Sequence, residues 1–187
     1  MAAHMTVGNS PLWRGLRWLV WGGAAGLLLV PLAAMQFTSE VNWTPGDFVL
    51  MGTILGLACG AYELAVRVAR NNTYVVAFGI AVATALFTTW INLAVGIIGG
   101  EDNSANGLFF LVLATGLIGA MLAQLKALPM ARAMEVTAVA QALLGVFAFV
   151  TMADHPEGFV LSGLFAAMWF TSAQLFRIAA QDRLAVP

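Results

Sequence analysis

Residues Thr73 to Gly99 read TYVVAFGIAVATALFTTWINLAVGIIG, an apolar run without a single charge. Such a run is long enough to cross the hydrocarbon of a bilayer, which takes roughly 20 mostly apolar residues as a helix. It shows no polar back. A helix that is apolar all round lies in a core or in lipid. Working outward, five more stretches of the same kind appear. The six spans run approximately over 16–36, 47–68, 73–99, 107–126, 132–153 and 158–178. Strands are excluded by the same reading, because a membrane barrel shows short alternating segments. Backbone groups in lipid must pair within their own segment, which leaves helices.

Composition agrees. Of 187 residues, 61% are hydrophobic and 9% are charged, whereas a soluble domain carries about 25% charged residues. A chain of this length could not hide six apolar helices in a water-soluble core. Net charge is −1 and no basic stripe marks a nucleic-acid partner. One cysteine, Cys59, rules out an internal disulfide framework. Met1 to Met5 reads as a cloning leader, with His4 in it, before a native start at Met5, which leaves His155 as the only native imidazole. That disfavours multi-His metal sites and bis-His haem ligation, and no cofactor is expected. Arg14 and Arg17 ahead of an apolar run could also open a signal peptide, but the run is long for one.

The connections carry start and stop chemistry. Thr44-Pro45-Gly46-Asp47 has an N-cap, a proline for the first helical position and a carboxylate that reaches back to free amides. Asp154-His155-Pro156-Glu157 opens the sixth span in a similar way. Pro129 is expected to break the chain between the fourth and fifth spans, and Pro31 to kink the first. The basic residues Arg14, Arg17, Arg67, Arg70, Lys126, Arg132, Arg177 and Arg183 all fall on one side of a six-span arrangement. The opposite loops hold Glu40, Asp47, Glu101, Asp102, Asp154 and Glu157. Lys and Arg in short loops mark the cytoplasmic face. The expectation is a single all-α, polytopic membrane domain over 1–187, a helical bundle with both termini cytoplasmic.

A weak repeat runs through it. Phe48-Val49-Leu50-Met51-Gly52 resembles Phe159-Val160-Leu161-Ser162-Gly163, and Glu63-Leu64, Gln124-Leu125 and Gln174-Leu175 each follow a Phe at the same offset. Ala81 to Leu86 resembles Ala138 to Leu143. Parallel repeats of helical hairpins would give this pattern, and so would coincidence in a chain rich in Ala, Val, Leu and Gly. Gly52, Gly56 and Gly60 recur every four residues, as do Gly22 with Gly26 and Gly96 with Gly100; Gly116, Gly119, Ala120 and Ala123 give the fourth span a small face. Small residues let helices approach closely in lipid, within a bundle or between copies. Trp13, Trp18, Trp21 and Trp43 suit interfacial anchors.

Few polar residues are left to carry a function. Glu63 with Arg67, and Glu135 with Arg132, read as same-helix ion pairs. Asn92, close to Trp90, Thr88 and Thr89, and Gln141 in the fifth span either hydrogen-bond across helices or line a polar path; the first use is the commoner. Asp47, Glu101, Asp102, Asp154 and Glu157, with Asn103, Asn106 and His155, offer oxygen-rich ligation for a hard cation on the outer face, or serve as caps and solvated loop charges. No nucleophile elbow, phosphate loop or paired-His motif occurs.

The stretch Trp90-Ile91-Asn92-Leu93-Ala94-Val95-Gly96-Ile97-Ile98-Gly99-Gly100-Glu101-Asp102-Asn103-Ser104-Ala105-Asn106 resembles a segment of small, uncharacterised bacterial membrane proteins. Ala34-Met35-Gln36-Phe37, Val41-Asn42-Trp43-Thr44 and the region from Met130-Ala131-Arg132-Ala133 to Ala140-Gln141-Ala142-Leu143 are similar too. The resemblance implies a bacterial inner-membrane location and carries over no functional residue. The leading expectation is a non-enzymatic accessory, assembly or interaction subunit, with lipid and other subunits or its own copies as partners. A small-solute or ion transporter or channel comes second, and an intramembrane enzyme using Glu101, Asp102 or His155 third.

Overall fold

The computed structural model describes residues 11–69, 71–152 and 156–182. Six helices account for most of them: α1 (Pro11–Ala34), α2 (Pro45–Val68), α3 (Asn72–Val95), α4 (Leu108–Leu122), α5 (Ala127–Thr151) and α6 (Glu157–Gln181). A short 3-10 turn, Ser104–Gly107, leads into α4. With that turn counted to α4, all six are long and apolar enough to cross a membrane, and no strand occurs among the described residues. The protein is therefore an all-α, multi-span membrane protein. Its helices fall into two compact units, α1 with α2 and α3 to α6.

In the first unit the chain enters α2 through the expected capping box. Thr44 N donates to Asp47 Oδ2 at 2.7 Å, and Asp47 N donates to Thr44 Oγ1 at 3.3 Å. Trp43 stacks edge-on against Phe48, with centroids 5.2 Å apart. These are the positions just before the cap and one turn inside, so the pair is a hydrophobic staple that fixes the entry angle. The α2 side of the seam is Met51, Leu55 and Cys59, one buried residue per turn. Near the far end Tyr62 donates its hydroxyl to Trp13 O at 3.4 Å, and Arg17 forms a two-pronged ion pair with Glu63. Arg67, the partner expected from spacing, stands farther from Glu63, at 3.9 Å. The cross-helix guanidinium wins because its planar fork meets both carboxylate oxygens.

The second unit has the packing order α4, α5, α6, α3. α5 packs against both α4 and α6, and α6 against α3, whereas the consecutive α3 and α4 barely touch. Connections of only a few residues make α4, α5 and α6 antiparallel neighbours. Small residues set the spacing: a Cβ added at Gly119 would lie 2.8 Å from Ala133 Cβ, and one at Gly145 would lie 2.8 Å from Ser162 Cβ. α3 is stitched to α6 by Ser172 Oγ donating to Ala77 O (2.8 Å) and Asn71 Nδ2 donating to Ala179 O (3.1 Å). Glu135 pairs with Arg177 across α5 and α6, where spacing alone suggested Arg132.

Helix boundaries differ from expectation at several places, and α1 begins at Pro11 rather than near 16. α3 stops at Val95 because Gly96 turns to φ +68°, and Gly96 N donates to Asn92 O at 3.2 Å. Gly96 and Gly100 thus leave the helix rather than forming a packing stripe on it. α5 begins at Ala127 and contains Pro129 in its first turn. An amide there has no partner four residues back, so proline is accommodated rather than disruptive. Gln124 and Leu125 lie outside α4 with φ of +50° and +57°, whereas Glu63-Leu64 and Gln174-Leu175 are helical.

Candidate functional site: a polar row beneath a stitched loop

The link between α3 and α4 folds inward. Ile97 and Ile98 are buried in an apolar cluster with Phe109, Val112, Leu144, Ala148 and Phe165. A Cβ on Gly158 would lie 2.8 Å from Ile97 O, so α6 meets the loop backbone directly. Irregular backbone at the end of a lipid-embedded unit requires its polar groups to be satisfied by protein. One residue does most of this. Asn106 accepts from Ile98 N at 2.8 Å and donates through Nδ2 to Gly100 O at 2.6 Å and to Ile98 O at 3.3 Å. Its own carbonyl accepts from Asn92 Nδ2 at 3.1 Å. Glycine is obligatory at Gly96, where a Cβ would sit 2.3 Å from Gly100 C and 2.6 Å from Asn106 Nδ2. Asn103 caps the 3-10 turn by accepting from Ala105 N at 2.9 Å.

Below the loop lies a row of buried polar groups on α3, α5 and α6. Gln141, Thr88 and Ser162 are fully buried; Asn92 and Trp169 are nearly so. Thr88 Oγ1, Asn92 Oδ1, both amide atoms of Gln141, Ser162 Oγ and Trp169 Nε1 have no hydrogen-bond partner in the structure. The helix register aligns them. Gly145 opposes Ser162, while Thr137 and Trp169 both reach Gly116 on α4. Gln141, one turn from Gly145 and one from Thr137, lies between these two levels. The Ser172–Ala77 bond fixes α6 against α3. About 15–17 Å farther out, at 1.5 Å per residue, Thr88 comes level with Ser162. The other buried threonines behave differently: Thr84 and Thr137 donate to the carbonyls of Ile80 and Ala133, one turn back.

A buried donor or acceptor left without a partner costs about 1–3 kcal/mol. Gln141 carries two such groups. Most buried side-chain polar atoms in proteins are paired, and here six exceptions fall on α3, α5 and α6. No member of the row is ionisable. It suits a neutral molecule that both donates and accepts.

The other residues singled out from sequence fall elsewhere. Trp90 is half-buried on α3, and no hydrogen bond joins it to the row. Asp47 is committed to its capping box. Glu101 and Asp102 are exposed, and no cluster of three or more His, Cys, Asp or Glu fit to hold a metal ion occurs among the described residues. Asp154 and His155 lie outside the described residues. On α2, Gly56 and Gly60 are exposed, with open space where a Cβ would go, and Gly52 approaches only Leu28 Cδ1, at 3.8 Å. Sequence reasoning missed Ser162 and Trp169. Their seven-residue spacing puts them on one helix face, and Trp169, in mid-span, is far from either interfacial belt; those were the available signals. The chain matches no family model, and no curated protein or solved structure matches it.

Proposed function

We propose that the α3–α6 unit binds a small, uncharged, hydrogen-bonding solute and lets it pass along the row of Thr88, Gln141, Ser162 and Trp169, with the Ile97–Ile98 loop as the closure at one end. The observation that carries this reading is Gln141, fully buried with both amide atoms unpartnered. The neutrality of the row supports an uncharged cargo, since an ion in this interior would lack a countercharge. The role is passage rather than covalent chemistry. The bacterial inner membrane, with both termini on the cytoplasmic side, is the setting that the basic ends of the helices and the resemblance noted above support.

The test is flux into proteoliposomes by stopped-flow light scattering, with water, glycerol and urea as probes. The native chain should pass at least one of them faster than protein-free vesicles, and Gln141→Leu should remove at least about 90% of that excess while keeping its helix content. Rates equal to those of empty vesicles for all three probes would defeat the proposal.

A second reading is an accessory or assembly subunit. It is favoured by the open glycine face of α2 at Gly56 and Gly60, which the α1–α2 pairing leaves uncovered. Close backbone approach on such a face is how helices associate in lipid. Under this reading Gly56→Leu/Gly60→Leu should dissolve a defined oligomer or complex seen in mild detergent. A monomeric native chain would count against it.

A further inference from the structure

At the end of the second unit that carries its basic residues, a cavity of about 660 Å³ opens between α5 and α6. Its walls are Lys126, Arg132 and Arg177, together with Ala127, Leu128, Pro129, Ala180 and Gln181. Among the described residues no acidic side chain lines it. The nearest acidic neighbours along the helices are Glu135, already paired with Arg177, and Asp182, just past the end of α6. The cations are also arranged. Glu135 holds the Arg177 guanidinium, and Lys126 Nζ donates to Gln124 Oε1 at 3.0 Å. Arg132 is exposed, and no ion pair or side-chain hydrogen bond joins it to another described residue.

We infer that this cavity is a binding site for the phosphodiester headgroup of an anionic phospholipid. Lys126 and Arg132, which no carboxylate of the described residues offsets, supply charge for a phosphate, Arg177 stands beside them paired with Glu135, and a guanidinium matches phosphate oxygens in a fork. The remaining walls decide the class of ligand. Leu128, Pro129, Ala127 and Ala180 offer an apolar surface beside the charge, which suits a glycerol backbone and the start of acyl chains but gives nothing to free phosphate. The location agrees, because the cavity lies where two apolar spans end, at the depth of lipid headgroups. Basic pockets between spans are a recurring setting for anionic lipids.

The experiment is native mass spectrometry of the full chain with phosphatidylglycerol and phosphatidylcholine of identical acyl chains. The native chain should retain phosphatidylglycerol over phosphatidylcholine by about tenfold or more, as expected for several cations near one anionic group. Lys126→Gln/Arg132→Gln should abolish that preference, while Arg67→Gln, on α2 and outside the cavity, should keep it. Equal retention of the two lipids by the native chain would overturn the inference, as would an unchanged preference in the double variant. Displacement of phosphatidylglycerol by inorganic phosphate at equal concentration would overturn it too, assigning the cavity to a free anion. The lipid comparison and the phosphate competition use only the native chain, so they decide the matter even if the double variant folds poorly.

Discussion

Asn106 and Gln141 are both buried amides, and they do opposite things. Asn106 makes three side-chain hydrogen bonds to loop backbone. Asn106→Ala should therefore destabilise the protein by about 2–4 kcal/mol, since it orphans buried backbone groups at Ile98 and Gly100. Denaturant titration of the purified chain would read this, with Asn103→Ala as the milder comparison at about 1 kcal/mol. Gln141 makes no such bonds. Gln141→Leu removes two unpartnered groups and keeps most of the volume, so it should leave stability unchanged or raise it by about 1–3 kcal/mol. A loss of stability in the same titration would mean that Gln141 is a structural bond-maker. The sequence made Asn92 and Gln141 visible as rare polar residues within spans, but it could not assign them. Asn92 bonds to a loop carbonyl fourteen residues along the chain, and spacing does not show whether an amide has found its partner.

Helix starts were legible where their chemistry is local. Thr44-Pro45-Gly46-Asp47 states its own cap, and Trp43 with Phe48, the residues on either side of that window, add a staple. Ion pairing was less legible. Same-helix spacing offers Arg67 and Arg132, but Arg17 and Arg177 come from neighbouring helices whose register no sequence spacing encodes. The α4–α5 turn was also hidden. Nothing in Gln124-Leu125 announces two successive residues in left-handed backbone, a conformation that glycine adopts without steric cost. Tyr74 holds the turn by donating its hydroxyl to Leu125 O at 2.7 Å. Gln124→Gly should accordingly stabilise the protein by about 1 kcal/mol, read as a higher midpoint of thermal unfolding. At the close crossing of α4 and α5, Gly119→Leu should cost about 2–4 kcal/mol, because its Cβ would already collide with Ala133.

Over the whole molecule, the number of spans was legible because length, apolarity and charge segregation agree on it. The packing order within the second unit was not, since every face of these helices is apolar and a helix wetted by lipid reads like one wetted by its neighbour. Charge keeps its sorting in each unit taken alone. Arg17 and Arg67 lie at one end of α1 and α2; Lys126, Arg132 and Arg177 lie at one end of α4 to α6, with Glu101 and Asp102 at the other. Reporter domains fused within the Glu101 turn and after Pro187 should therefore become active in opposite compartments. Activity of both on one side would refute the six-span topology. The stitching of the loop over the polar row has a consequence as well. Because one amide holds Ile98 and Gly100 together, a single rotation of the Asn106 side chain releases three bonds at once. Three fastenings thus depend on one side chain, so Asn106→Ala should speed amide hydrogen exchange at Ile98, whose N–H the Asn106 oxygen holds.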